Sequence, residues 1–220
     1  MIRVKETNEH ADAIKLKVVK LASKMFRSRG VKDVKMDEIA SALSMSKRTI
    51  YELFNDKESL LIDCMQYRHE KKSKETCEIV KSASNVLEVI LLVYAHSLQE
   101  LHETNLKFFQ DVRLYPRAYA LIGKRNKQDF EDAVNFFKQG VDQGIFRVDI
   151  NFEIFIVILH KQIDTLLNGE VSKNFSFFDV YEFIMFTFLR GVSTRKGQDI
   201  IEDFIENFKK NIGGNLAGFL

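Results

Sequence analysis

The chain has 220 residues, 45% of them hydrophobic and 29% charged, which is ordinary for a globular protein and enough for one sizeable domain or a small domain beside a larger one. A single proline, Pro116, and ten glycines argue against a turn-rich all-β fold and for a mostly helical one. Net charge is only +2, but residues 1–57 carry 13 Lys/Arg against 8 Asp/Glu while the remainder is net acidic, the asymmetry expected when one end of a protein meets phosphate.

The first predicted helix runs from about Asn8 to Arg29. Ile14, Val18, Leu21, Ala22, Met25 and Phe26 form one apolar stripe, and Gly30 follows where a left-handed residue would end the helix. A second, short helix covers about Met36–Leu43, with Asp37 and Glu38 in its positively polarised first turn. Ser44-Met45 make the turn, and Ser46 is placed to cap a third helix that ends near Phe54. Asn55 or Asp56 caps a fourth, Asn55-x-x-Glu58 having the form of a capping box. That helix continues to about Glu75 through the charged, solvated stretch RHEKKSKE.

Helices are expected next over Val86–Glu103, Asn105–Tyr115 and, opened by Pro116, to about Gln143, where Gly144 closes the last. Ile145–Val148 reads as a short extended link. Asp149 or Asn151 then starts a helix that reaches the Asn168-Gly169 turn. Phe177–Gly191 and Lys196–Asn211 complete the set, before a Gly-rich tail, GGNLAGFL, that reads as mobile. Two helices, Ile154–Leu167 and Phe177–Leu189, are apolar on too many faces for one core. A helix apolar all round must be buried all round, so a second copy of the chain is expected to cover the other face, the alternative being a single deeply central helix pair.

Two compact helices joined by a tight turn form a helix-turn-helix, whose second helix fits the DNA major groove. Lys47 and Arg48 stand at the leading end of that helix. Arg48 could donate two hydrogen bonds to a guanine edge, and Lys47 could reach a base or a phosphate. Thr49 and Tyr51 offer hydroxyls to phosphate oxygens, and Lys57 adds a charge at a helix start that already favours an anion. Ser46 caps the helix at the same surface, and Met36 stands where it would meet either the groove wall or the core. Ile50, Leu53 and Phe54 are expected to be core.

Residues 21–61, LASKMFRSRGVKDVKMDEIASALSMSKRTIYELFNDKESLL, closely resemble the N-terminal domain of TetR-family transcriptional regulators. The landmarks are Phe26, Gly30, Ile39-Ala40, Ser46 through Tyr51, Phe54, Lys57, Glu58 and Leu60-Leu61. GIFRVDIN (144–151) and FLRGVSTRKG (188–197) are similar to C-terminal signatures of the same family, less specifically. The resemblance implies an all-α fold with a three-helix DNA-binding domain, here residues 1–56. Residues 57–220 would be a helical ligand-binding and dimerisation domain, its last long helix pair forming a four-helix dimer interface. Two positions depart from the pattern. Lys35 stands where the family often caps the second helix with Thr or Ser, and Ser44 stands where the turn often has Gly. Arg3 and Lys5 read as a frayed tail, with a basic minor-groove arm as the alternative.

The leading functional expectation is a homodimeric repressor that binds a palindromic double-stranded operator and is released by a small-molecule effector. The alternative is an architectural or adaptor protein of the same fold without an effector. Of 19 Phe, 17 follow residue 100, so an apolar or amphipathic effector is expected. Tyr94, His96, Phe108, Phe109, Arg113 and His160 are candidate lining residues because polar groups recur there among aromatics. No catalytic motif is found. Phosphate-binding glycine loops are absent, His102-Glu103 lacks the second His of a zincin motif, and the histidines and cysteines are not at metal spacing. No cofactor or metal is therefore expected. Cys64 and Cys77, roughly 20 Å apart on one helix, cannot pair and fit a reducing cytosol. The polar N-terminus is unlike a signal peptide, and no apolar run approaches the ~20 residues that cross a bilayer, so no membrane contact is expected.

Overall fold

A computed structural model describes residues 2–167 and 175–211, with side chains described for 11–121, 130–167 and 175–208. The Asn168-Gly169 turn, the GGNLAGFL tail and the side chains of Arg3 and Lys5 lie outside the described residues. Ten α-helices occur among them: α1 (Ile2–Arg29), α2 (Met36–Ala42), α3 (Lys47–Leu53), α4 (Lys57–Ser82), α5 (Val86–His102), α6 (Leu106–Val112), α7 (Pro116–Asp142), α8 (Phe152–Leu167), α9 (Phe177–Val192) and α10 (Arg195–Asn211). The fold is all-α. The described residues pair in extended form only at an isolated antiparallel bridge between Phe146 and Ser193.

By packing, the chain forms two compact units. The first is Met1–Glu75 with Leu101–Lys124, the second Thr76–Glu100 with Arg125–Leu220. This line differs from a division after residue 56. One long helix and two short ones bury too little apolar surface by themselves, and the core of Phe26, Val31, Ile39, Ile50, Phe54, Leu60 and Leu61 takes in Val112 and Ala118, with Phe108 and Tyr115 packed against it.

Local chemistry sets the ends of the helices in this unit. Gly30 adopts φ +92°, ending α1, and its N–H donates to the Phe26 carbonyl at 2.9 Å. α4 begins with Asp56 as its cap, Oδ1 accepting from the Ser59 N–H at 2.6 Å. The expected Asn55–Glu58 box does not form, because Glu58 is engaged elsewhere. Its Oε1 accepts from the backbone N–H groups of Arg117 (2.7 Å) and Ala118 (3.3 Å), so a side chain of α4 caps α7. α4 also runs past Glu75 to Ser82, supported by Lys71–Glu75 in its charged stretch and by Lys81–Glu78 beyond it. α6 is shorter than expected. Asn105 is its cap rather than its first residue, accepting from the Lys107 N–H at 3.0 Å, and Pro116 disfavours a helical Tyr115.

The second unit is built around Phe137, whose ring centroid lies 5.2 Å from Phe146, 5.1 Å from Phe152 and 5.2 Å from Phe155. Gly140 is required there, since a Cβ on it would overlap the Phe146 ring. The GIFRVDIN and FLRGVSTRKG segments are brought together. The Arg147 N–H donates to Val192 O and the Thr194 N–H to Ile145 O, both at 2.9 Å, and the Thr194 hydroxyl donates to Gly144 O at 2.8 Å. Asn151 caps α8, accepting from the Ile154 N–H at 3.1 Å. α8 and α9 pack on one another and bury Phe152, Phe155, Ile156 and Leu166 from one, Phe177, Ile184, Phe186 and Leu189 from the other. Ile154, Val157 and Ile158 on α8 and Phe183 on α9 stay exposed, Phe183 by 69%.

Candidate nucleic-acid interface

The turn between α2 and α3 is made by Ser44 at φ +54°, the left-handed conformation expected there of glycine. The Met45 N–H reaches back to the Ala40 carbonyl at 2.9 Å and closes α2. Lys35 precedes α2 with an extended backbone and makes no side-chain cap, the consequence of losing Thr or Ser at this position. Ser46 does cap α3, its Oγ accepting from the Thr49 N–H at 3.0 Å and lying 2.8 Å from the Thr49 hydroxyl.

Lys47, Arg48 and Tyr51 are exposed on α3, and Thr49 is half-buried beside its cap. Lys47 Nζ bonds Asp37 Oδ2 on α2 at 2.9 Å and lies 6.0 Å from the Tyr51 ring centroid. The Asp37 carboxylate raises the lysine's pKa above its ordinary value. Arg48 Nε bonds Glu52 Oε1 one turn along at 2.8 Å. Both cations are thus held by exposed carboxylates, and exposed pairs exchange readily because water and salt screen them. A phosphate or a guanine edge can replace either carboxylate. Behind this face Ile50 and Phe54 are buried, and Leu53 packs against them.

Met36 does not belong to the exposed face. It is 5% exposed and part of the core, because the first turn of α2 points it at the packed interior. Lys57 is half-buried, and its Nζ donates to the Lys32 carbonyl at 3.1 Å. Burial lowers its pKa, against the pull of Asp111, Asp33 and Glu38. Arg117 and Asp111 carry no mark in the sequence, and Asp37 and Glu58 are marked there only as local helix-start residues, not for the distant partners they find. Their partners lie 10 to 79 positions away, and nothing in the helical periodicity marks them.

The candidate effector residues divide between the two units. Tyr94 and His96 are on α5 in the second unit, and Phe108, Phe109 and Arg113 fall within the first. The rings of Phe108 and Phe109 meet edge to face at 5.4 Å, and Arg113 lies over Tyr119. His160 is exposed on α8. Tyr94 stands apart. It is 2% exposed, stacked on Tyr181 at 5.5 Å and edge-on to Phe186 at 5.2 Å, and among the described residues its hydroxyl has no hydrogen-bond partner. Burial pushes the Tyr94 phenol well up and the Tyr181 phenol up to about 12. An open cleft of about 700 Å³, lined by Val134, Lys138, Val141 and Phe152 among others, includes none of the six candidates. Among the described residues no group of His, Cys, Asp and Glu is arranged to hold a metal ion. Both cysteines are unpaired, Cys64 buried and Cys77 exposed. No helix among them is long and apolar enough to cross a membrane.

Residues 18–64 match the family model for bacterial regulatory proteins of the tetR family. The chain is 26% identical over 143 residues to the HTH-type transcriptional repressor KstR2 of Mycobacterium tuberculosis, a match covering 62% of this chain and 71% of that protein. The solved structure of the ketosteroid transcriptional regulator KstR2 superposes with a TM-score of 0.57 at 19% identity, covering 82% of this chain and 95% of that one. A transcriptional regulator from Saccharomonospora viridis in complex with choline gives a TM-score of 0.69 at 16% identity, covering 84% and 100%. A TetR-family regulator from Cytophaga hutchinsonii gives 0.67 at 16% identity, covering 84% and 98%. At these identities the structural likenesses speak to fold, while the helix-turn-helix match and the KstR2 relative speak to role: this chain is a DNA-binding transcriptional regulator whose helix-turn-helix segment, residues 18–64, matches the TetR family.

Proposed function

We propose that the protein is a homodimeric repressor. Two copies of α3 would read the half-sites of a palindromic operator through Lys47, Arg48, Thr49 and Tyr51, with Lys57 and the Ser46 end of α3 at the phosphate backbone. In this reading residues 1–56 bind DNA, and the rest of the chain dimerises and binds an effector. The half-sites would lie one helical turn apart, ~34 Å. The observation that carries the dimer is the exposed apolar row Ile154, Val157, Ile158 and Phe183, on a helix pair whose opposite face is already buried. Four large apolar side chains left exposed on one packed helix pair favour an interaction surface, and an isologous pairing would cover them on both copies. Repression is supported by the KstR2 relative, itself a repressor. A cytoplasmic location follows from the role, and no catalytic step is assigned.

The effector is proposed to be an apolar or amphipathic small molecule bound in the second unit, where the unpartnered Tyr94 hydroxyl among aromatic rings could donate to a single polar group. It acts by binding one conformation of the dimer better than another. The relatives point to different chemistries: KstR2 is a ketosteroid transcriptional regulator, and the Saccharomonospora regulator is in complex with choline. The test is binding of the full-length protein to a duplex from upstream of its own gene, followed by competition with a ketosteroid and with choline. Binding as a dimer and release by a small molecule are expected. A monomer on the DNA would overturn the dimeric reading, and a complex indifferent to both compounds would remove those two chemistries.

A further inference from the structure

Lys32 lies in the turn between α1 and α2, and both of its backbone polar groups are held by side chains from elsewhere. Its N–H donates to Asp111 Oδ2 of α6 at 2.7 Å. Its carbonyl accepts from Lys57 Nζ, at the start of α4, at 3.1 Å. Next to it, Asp33 pairs with Lys107 of α6 at 3.3 Å. The fit is close: a Cβ on Gly30 would stand 2.8 Å from Asp111 Oδ2 and 3.1 Å from Lys107 Cβ. Arg29 and Glu38 join the end of α1 to the first turn of α2, and Asp37 in that turn holds Lys47 of α3. Displacing the turn therefore displaces the two helices that follow it.

We infer that Asp111 is a positioning residue for operator recognition, pinning the Lys32 turn from one side while Lys57 pins it from the other and so setting the pose in which α2 and α3 meet DNA. The inference rests on the reading of α3 as the DNA-reading helix. Asp111 itself touches no DNA, since its charge would be repelled by phosphate. It also lies well outside residues 18–64, the segment that matches the family model. The reading head is thus completed by α6.

Two consequences of removing the carboxylate have opposite signs. Deleting an anion from a unit that binds a polyanion should by itself tighten every DNA complex. Releasing the turn should weaken the specific complex alone. The full-length wild type, Asp111→Ala and Asp111→Asn are titrated with the upstream duplex and with an unrelated duplex at several salt concentrations, and exchange of the Lys32 amide is followed. Asp111→Ala is expected to weaken specific binding by about tenfold, the loss of one charge-assisted hydrogen bond. The unrelated duplex should bind no more weakly, the salt slope should not change, and Lys32 should lose protection. Asp111→Asn keeps a carbonyl acceptor and should stay close to wild type in both readouts. Operator binding by Asp111→Ala as tight as wild type, or tighter, overturns the inference. If Asp111→Ala does not fold, Asp111→Asn decides: loss of Lys32 protection without loss of specific affinity is equally fatal. A wild type that does not distinguish the two duplexes refutes the operator reading instead, and Lys32 protection in the variants then decides the clamp.

Discussion

Arg48 has 89% of its side chain exposed and is oriented by Glu52 on the same helix. A guanidinium so placed has no part in the core, so Arg48→Ala should leave thermal unfolding unchanged. If it reads a guanine, specific operator affinity should fall by roughly tenfold to a hundredfold, with little effect on an unrelated duplex. Met36 is the opposite case. Met36→Ala should cost about 2–5 kcal/mol of stability, as truncation of a buried methionine does. Equilibrium denaturation separates the two roles. The exposure of Arg48 and Lys47 and the capping of α3 by Ser46 were legible in the sequence because both follow from position on a short helix. Met36 stayed ambiguous because a first-turn residue can face either way until the neighbouring helices are placed. The left-handed Ser44 was legible for a different reason: a turn this short leaves the backbone few options, whatever the residue.

Between elements, the Asp56–Glu58–Arg117 cluster joins the start of α4 to the start of α7. Arg117 pairs with Asp56 at 2.6 Å and Glu58 at 2.9 Å. Asp56 is held below the usual carboxylate range, first by its hydrogen bonds from Ser59 and then by Arg117. Burial alone would raise Glu58, but hydrogen bonds from the Arg117 side chain and from the Arg117 and Ala118 backbones outweigh it and lower its pKa. Both groups are ionised in the folded chain at pH values where the unfolded chain has begun to take up protons. Their contribution is complete above the unfolded carboxylate pKa, about 4, and is lost as pH falls through the lower folded values. Thermal unfolding between pH 3 and 6 should show this loss in wild type, and Arg117→Ala should reduce the slope. The helices themselves were largely legible, since apolar periodicity, Gly30, Pro116 and Gly144 mark them. The capping of α7 by Glu58 was not, because its spacing to Asn55 imitates a local box while its real partners are 59 and 60 positions on.

For the whole molecule, the exposed row on α8 and α9 and the buried Tyr94 give separable expectations. Phe183→Glu should yield a monomer by sedimentation or light scattering. Because two half-sites must be bound together, operator affinity should then collapse by on the order of a hundredfold or more. Tyr94→Phe removes a buried hydroxyl that has no partner among the described residues. It should unfold at the same temperature as wild type or higher, because a lone buried polar group opposes folding. A lower unfolding temperature would reveal a hydrogen bond to water or to another group. By itself the sequence determined the all-α class, the helix-turn-helix with its TetR-like segment and the excess of apolar surface on two helices, because each is written along one stretch of chain. Only the tertiary structure decided that α6 belongs with the reading head, that Met36 is core, that Glu58 caps α7 and that the candidate effector residues divide between two units. Those facts depend on which distant surfaces meet, and helical periodicity carries no information about a partner 50 or more residues away.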